Sequence, residues 1–215
     1  MTNQFNQLQE KRRSIYALGK NVKEDKQTLV DLIEKTIELS PSAFNSQTVR
    51  AVIAFGQDSD RIWDIVLAEL RKVVKDDEAF AKTQAKVNSF KAYGTILYFT
   101  ETATVKQLEA DFPAYAANFA GWAEQAIGGA QQAVWEALAV QGLGASLQHY
   151  NPLIDEAIAK AFDIPETWQL RAEMPFGYQL AKKTSCLLKS VLRYLALNEL
   201  NNRAIRAIRV AFLIA

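Results

Sequence analysis

The chain has 215 residues, 49% hydrophobic and 23% charged, which excludes a disordered chain, a collagen and a disulfide scaffold. A chain of this length buries roughly 70% of its unfolded surface, enough for one domain or two small ones without metal or cross-links. The single cysteine, Cys186, excludes an internal disulfide or a cysteine-rich zinc site, and the net charge of +1 makes no case for nucleic-acid binding.

The elements follow in chain order. Residues 26–40 read as an amphipathic helix, with Leu29, Leu32, Ile33, Thr36 and Ile37 on one face and Pro41 as the stop. Residues 49–55 are a short β-branched apolar run, expected as a buried strand. Residues 58–74 are helical, with Ile62, Ile65, Val66, Leu70 and Val73 on one face, and Asp58 and Ser59 are expected to cap the helix. A weaker helical pattern covers 80–93, and 95–100 reads as a second buried strand.

Residues 114–141 form a long, alanine-rich helix with apolar residues on more than one face, expected to be buried in a core or at a subunit interface. Gly128 and Gly129 in its middle weaken it locally or allow close packing. A strand at 143–147, a turn at 148–152, a helix at 153–162 and a strand at 168–178 complete the pattern. Helices and strands mix without strict βαβ alternation, so the fold class is α+β.

The start of the chain has no apolar run behind its charges, so no secretory signal is expected. No run of about 18 apolar residues occurs, so no membrane span is expected either, and a reducing cytoplasm is the simplest setting. Charge is unevenly spread. Residues 182–215 hold seven basic residues and one acid, a net +6, which leaves −5 on the preceding 181. The composition therefore breaks near residue 184.

Few residues carry an obvious chemistry. Gly142-Leu143-Gly144 fails as a dinucleotide loop, because the third glycine is missing and the order is helix then strand; a helix-terminating glycine is the simpler reading. The one histidine, His149, cannot build a two-histidine metal site, and reads as a turn residue or a ligand contact. Arg12, Arg13 and Ser14 place two guanidinium forks and a hydroxyl together, suited to a phosphate monoester or to a solvated basic face. The loop with Ser42, Asn45 and Gln47 is dense in mixed donors and acceptors, suited to a heteroaromatic ring or to a capped turn.

Five segments in order, RRSIYAL, SPSAFNSQ, FKAYGTILYF, GLGASLQHYNP and WQLRAEMPFGY, resemble the FMN-dependent nitroreductase family, and within it the small cytosolic branch of Gram-positive bacteria and yeasts. The resemblance covers about residues 5–183. It implies an α+β sandwich with a central, mostly antiparallel sheet flanked by helices, an intertwined homodimer, and FMN at the subunit interface.

By the same resemblance, Arg12, Ser14 and Arg13 match phosphate positions, and Tyr16 falls where many relatives carry a cation near the flavin. Ser42, Asn45 and Gln47 match the loop on the ribityl chain and ring, and Asn88 and Lys91 an Asn-x-x-Lys pattern at the pyrimidine edge. Gln148, His149, Tyr150 and Asn151 match the turn whose amides approach flavin N5, and Lys182 or Lys183 a basic position near the phosphate. Implied too is ping-pong hydride transfer from NADH or NADPH through FMN to a nitroaromatic, quinone or similar small-molecule acceptor.

Two rivals stand beside this expectation. One is a flavin-binding redox or stress-response regulator with low turnover. The other is an interaction protein that works through its C-terminus. Residues 184–215 depart from the family, which supports a division into an FMN-binding domain (1–183) and an atypical basic segment (184–215). That segment reads as altered coding, a partner or membrane-surface helix, or a plain terminal helix. Phe44, Tyr93, Tyr115, Phe119 and Trp122 are candidates for a pocket wall.

Overall fold

The computed structural model describes residues 3–181. Lys182, Lys183, Cys186 and the basic segment at 184–215 lie outside the described residues.

The chain begins with α1 (Gln4–Lys11), capped by the Asn3 side chain, which accepts from the Phe5 N–H at 3.1 Å. β1 (Leu18–Gly19) is a two-residue strand, and α2 (Lys26–Glu38) is capped by Asp25. β2 (Val49–Phe55), α3 (Gln57–Val73), α4 (Asp77–Asn88) and β3 (Gly94–Glu101) follow. Then come α5 (Thr102–Asp111), the 25-residue α6 (Ala116–Val140), β4 (Leu143–Ala145), α7 (Asp155–Phe162) and β5 (Trp168–Gln179). The α+β expectation holds. Neither α1 nor α5 shows in the periodicity, because α1 buries no residue and α5 only Val105.

The sheet runs β1-β5-β3-β2, with β4 also on β5, and every strand pair is antiparallel. β3 is central and its side chains alternate between two cores, as pleating requires. Ile96 and Tyr98 enter a layer with Leu29 and Ile33 of α2 and Ile127, Val134 and Leu138 of α6. Leu97 and Phe99 enter the opposite layer, with Ile62, Trp63 and Val66 of α3, Phe90, and Ile158 of α7. β5 reaches both layers, through Met174 and Phe176 on one side and Leu170 on the other. At Gly177 a Cβ would collide with the Gly19 carbonyl oxygen, so glycine admits β1 to the sheet.

Three sequence expectations are corrected. Among the described residues β2 is an edge strand paired only with β3, and of its residues Ala54 alone is buried. Asp58 and Ser59 do not cap α3; Gly56 occupies the cap position and no side chain bonds there. Ser59 is instead buried one turn in, its Oγ 2.7 Å from Thr95 Oγ1, which also accepts from Trp63 Nε1 at 2.9 Å. Ser59 faces the core with Ile62 and Trp63, and Thr95 needs polar partners there. Finally, the helix expected over 80–93 starts at Asp77 and ends at Asn88, releasing Phe90 into the core.

Candidate functional site

The RRSIY segment leaves α1 as extended chain. Arg12 closes that helix, its N–H donating to Leu8 O at 3.0 Å. Ser14 then pairs with Ala145 of β4 in a parallel bridge, and the Ile15 N–H donates to Ala145 O at 2.9 Å. Residues 130 apart in sequence are thus held side by side.

The Arg12 guanidinium lies 4.5 Å over the ring of Trp135 in α6, while Arg12 Nε is buried and has no hydrogen-bond partner among the described residues. Burial, and then repulsion from Arg13, lowers the Arg12 pKa, partly offset by Glu136. The group remains a cation at any physiological pH. Arg13 is occupied locally: its Nη1 donates to the carbonyls of Gln9 (2.6 Å) and Arg12 (2.7 Å). A polar network of Gln9, Gln132 and Glu136 ties α1 to α6 alongside.

Past β4 the chain enters the 148–152 turn. The Gln148 N–H donates to Glu173 O at 2.8 Å, and the Glu173 N–H returns a bond to Gln148 O at 3.0 Å. The Tyr150 N–H donates to the Glu173 side chain, Oε2, at 3.0 Å. Between these two anchors the backbone N–H of His149 has no partner among the described residues. His149 is exposed, the Gln148 side chain is buried and donates to Ser146 Oγ at 3.1 Å, and Asn151 Oδ1 is buried without a partner among the described residues.

Glu173 is fully buried. Desolvation pushes its carboxyl up to about 8, the Tyr150 N–H opposes the rise, and Asp155 adds to it. The Asp155 carboxyl is itself raised, by burial first, against the pull of Arg171. Burial and the Glu173 charge raise the Tyr150 phenol, as does nearby Tyr16.

Tyr16 packs 6.1 Å from Phe90, which touches Trp63 (4.9 Å), which touches Tyr150 (6.2 Å). Tyr16 and the turn at 148–151 are thus linked through the rings of Phe90 and Trp63. Asn88 is exposed at the end of α4, and Lys91 Nζ is held by Asp64 Oδ1 at 2.5 Å.

The loop with Ser42, Asn45 and Gln47 lies elsewhere. Phe44, Asn45 and Gln47 all adopt left-handed backbone, with φ of 57°, 49° and 47°. Each costs about 1–2 kcal/mol in a residue with a side chain, and such strain collects at functional loops. The Ser42 hydroxyl accepts from the Gln47 N–H at 3.0 Å, and Asn45 Oδ1 from Gln47 Nε2 at 3.2 Å.

Phe44 stacks on Trp122 at 5.8 Å and 19°, and meets Phe112, Tyr115 and Phe119 at 5.0, 5.9 and 5.2 Å. Four of the five aromatics proposed for a pocket wall therefore cluster. Tyr93 does not, packing with Phe55 and Phe176. Trp122 and Trp135 are thirteen residues apart on α6, or about 20 Å at the helical rise. The Ser42 loop and Arg12 thus contact positions well separated along one helix.

Sequence reasoning missed Glu173 and Asp155. The available signal was an acid flanked by apolar residues within a strand, since Glu173 stands between Ala172 and Met174.

Residues 10–178 match the model of the nitroreductase family. The yeast nitroreductase homologue HBN1 (Saccharomyces cerevisiae) is 40% identical over 171 residues, spanning 77% of this chain and 83% of the relative. Nitroreductase CinD from Lactococcus lactis superposes with a TM-score of 0.79 at 45% identity, covering 86% of this chain and 95% of CinD. CinD structures exist with nicotinic acid, chloramphenicol and 4-nitrophenol. A nitroreductase with bound FMN from Desulfitobacterium hafniense shares the fold, with a TM-score of 0.69 at 17% identity over 91% of this chain and 100% of that one. With this fold and those matches, the chain belongs to the nitroreductase family and is an oxidoreductase.

Proposed function

We propose that the protein is an FMN-dependent NAD(P)H oxidoreductase that reduces nitroaromatics, quinones or similar small acceptors. The observation that carries this reading is the bridge between Ser14 and Ala145, which brings the segment that follows Arg12 beside the end of β4, from which the chain runs into the 148–151 turn. The donor set fits FMN. A buried guanidinium N–H without a partner suits a phosphate oxygen, and an unpaired backbone N–H at His149 suits a ring nitrogen.

When bound, FMN supplies two-electron chemistry, taking up hydride from NADH or NADPH and yielding electrons to the acceptor. The chain binds, orients and tunes. Arg12 and Ser14 hold the phosphate, with Lys182 or Lys183 as a further cation. Arg13 stiffens the Arg12 segment through its two carbonyl contacts. Lys91 serves the electron-rich pyrimidine edge with Asn88. Its pair with the exposed Asp64 is worth at most about 1 kcal/mol, so it can turn to a stronger anionic partner. No side chain is required as a general acid or base.

The separation of the Ser42 loop from Arg12 along α6 favours a homodimer in which Ser42, Asn45 and Gln47 of one chain serve the Arg12 site of the other. Gly121, Gly128 and Gly129 of α6 are exposed, and a Cβ at each would meet nothing within 4 Å among the described residues, so this face is open to close approach by a second helix. The aromatic cluster around Phe44 then forms a wall for flat acceptors, the class to which the CinD ligand 4-nitrophenol belongs.

Anaerobic absorption spectra of the purified protein with FMN test the reading. Flavin bands that bleach on NADH or NADPH addition and recover with a nitroaromatic support it, together with parallel double-reciprocal plots. No uptake of micromolar FMN, or intersecting plots that demand a ternary complex, would refute it.

A further inference from the structure

We infer that Glu173 is a positioning residue for the flavin site, acting through the backbone on either side of His149. The inference rests on the flavin reading above. Glu173 makes three bonds to the turn: its N–H and C=O both pair with Gln148, and its carboxyl oxygen Oε2 accepts from the Tyr150 N–H at 3.0 Å. The residue is fully buried in β5, the strand that also pairs with β3 and β4. The turn is thus tied to the middle of the sheet and not merely to neighbouring loops.

The consequence is directional. With the amides of Gln148 and Tyr150 committed to Glu173, the intervening His149 N–H is left for a ligand and its orientation is set by the two anchors. A donor fixed before the ligand arrives needs no reorganisation on binding, which is the physical basis of electrostatic preorganisation. The second carboxyl oxygen, Oε1, is buried without a partner among the described residues. The groups facing the carboxyl are Tyr150 from the turn and Asp155 from α7, with Arg171 beyond Asp155 on β5 itself. None of the three forms an ion pair with Glu173, so the carboxyl serves the turn chiefly as an acceptor and not as a charge.

The role separates from general stability by comparing two substitutions in the full chain. Glu173→Gln keeps an acceptor oxygen at the same reach, whereas Glu173→Met fills the volume and offers none. Amide hydrogen exchange at residues 148–151 is measured first in the FMN-free protein. FMN affinity is then measured by fluorescence titration. The expected result is exchange at least tenfold faster in Glu173→Met, confined to the turn, with FMN affinity at least tenfold weaker. Glu173→Gln is expected within threefold of the parent in both. Unchanged protection of the turn in Glu173→Met would overturn the inference, and so would an opened turn with full FMN affinity. Tenfold weaker FMN binding by Glu173→Gln would also overturn it, and that variant decides the matter if Glu173→Met does not fold. Failure of the parent protein to take up FMN would instead refute the flavin reading, and this inference with it.

Discussion

Trp63 Nε1 donates to Thr95 Oγ1 at 2.9 Å in a fully buried position, joining α3 to the central strand β3 through a polar bond inside an apolar layer. The same Thr95 oxygen lies 2.7 Å from Ser59 Oγ, so one hydroxyl serves two partners. This bond fixes the rotation of α3 against the sheet, and with it the Trp63 ring that backs both Phe90 and Tyr150.

Replacing Thr95 by Val therefore leaves the Trp63 N–H and the Ser59 hydroxyl buried without their partner. Each unsatisfied group costs about 1–3 kcal/mol. Urea denaturation is expected to show Thr95→Val destabilised by at least about 2 kcal/mol, with an unchanged m-value.

Gly177→Ala drives a methyl group into the Gly19 carbonyl, which is backbone and cannot rotate away. Overpacking of this kind costs about 1–3 kcal/mol. Thermal unfolding is expected to show a lowered midpoint. Gly128→Ala, where a Cβ meets nothing within 4 Å among the described residues, is expected to leave the stability of a monomer unchanged or raise it, through helix propensity.

Glu173 sets a pH dependence of known sign. Its carboxyl titrates near 8 in the folded chain, against an ordinary value of 4.5. Between those two values the folded state holds a proton that the unfolded state has released. Its contribution to stability is full below 4.5, declines as pH rises, and is lost once pH passes the folded value. The slope is on the order of 1.4 kcal/mol per pH unit at most. Urea unfolding at pH 5.5 and 7.5 is expected to show the parent losing on the order of 2 kcal/mol more than Glu173→Gln does.

Arg12→Lys retains the charge but loses the planar fork and its stacking on Trp135. FMN affinity is expected to fall at least tenfold, measured by quenching of FMN fluorescence, with the far-ultraviolet circular dichroism unchanged.

A site shared between two chains predicts complementation. Arg12→Ala and Asn45→Ala are each expected to abolish FMN binding in their own homodimers. In a mixed dimer both changes fall in one site and the other is intact. Co-refolding equal amounts is expected to restore about a quarter of the parental FMN capacity, the share that random pairing gives. No restoration would place Arg12 and Asn45 at one site within a single chain, or at none.

Much of this was legible in the residues. The apolar run at 95–100 reads as a buried strand, and Ile96 and Leu97 do enter opposite layers. The alanine-rich run became one continuous helix, α6, with Gly142 in left-handed backbone (φ 78°) just past its end. These features are local, because side-chain period and backbone freedom are properties of a short window. The order of motifs was legible too, and the family match over residues 10–178 bears it out.

Other features depended on contacts between distant parts of the chain. β2 reads as buried from its composition, yet among the described residues it is an edge, because which strand pairs with which is not written in one strand's periodicity. Ser59 reads as a cap, yet it is buried against Thr95, a partner 36 residues away. Glu173 reads as an acid in a strand, and only the return of the 148–152 turn onto β5 makes it the acceptor for Tyr150. The residues by themselves determined the elements and the donor types. The tertiary structure decided which donors meet, because burial and hydrogen-bond satisfaction are settled between segments and not within them.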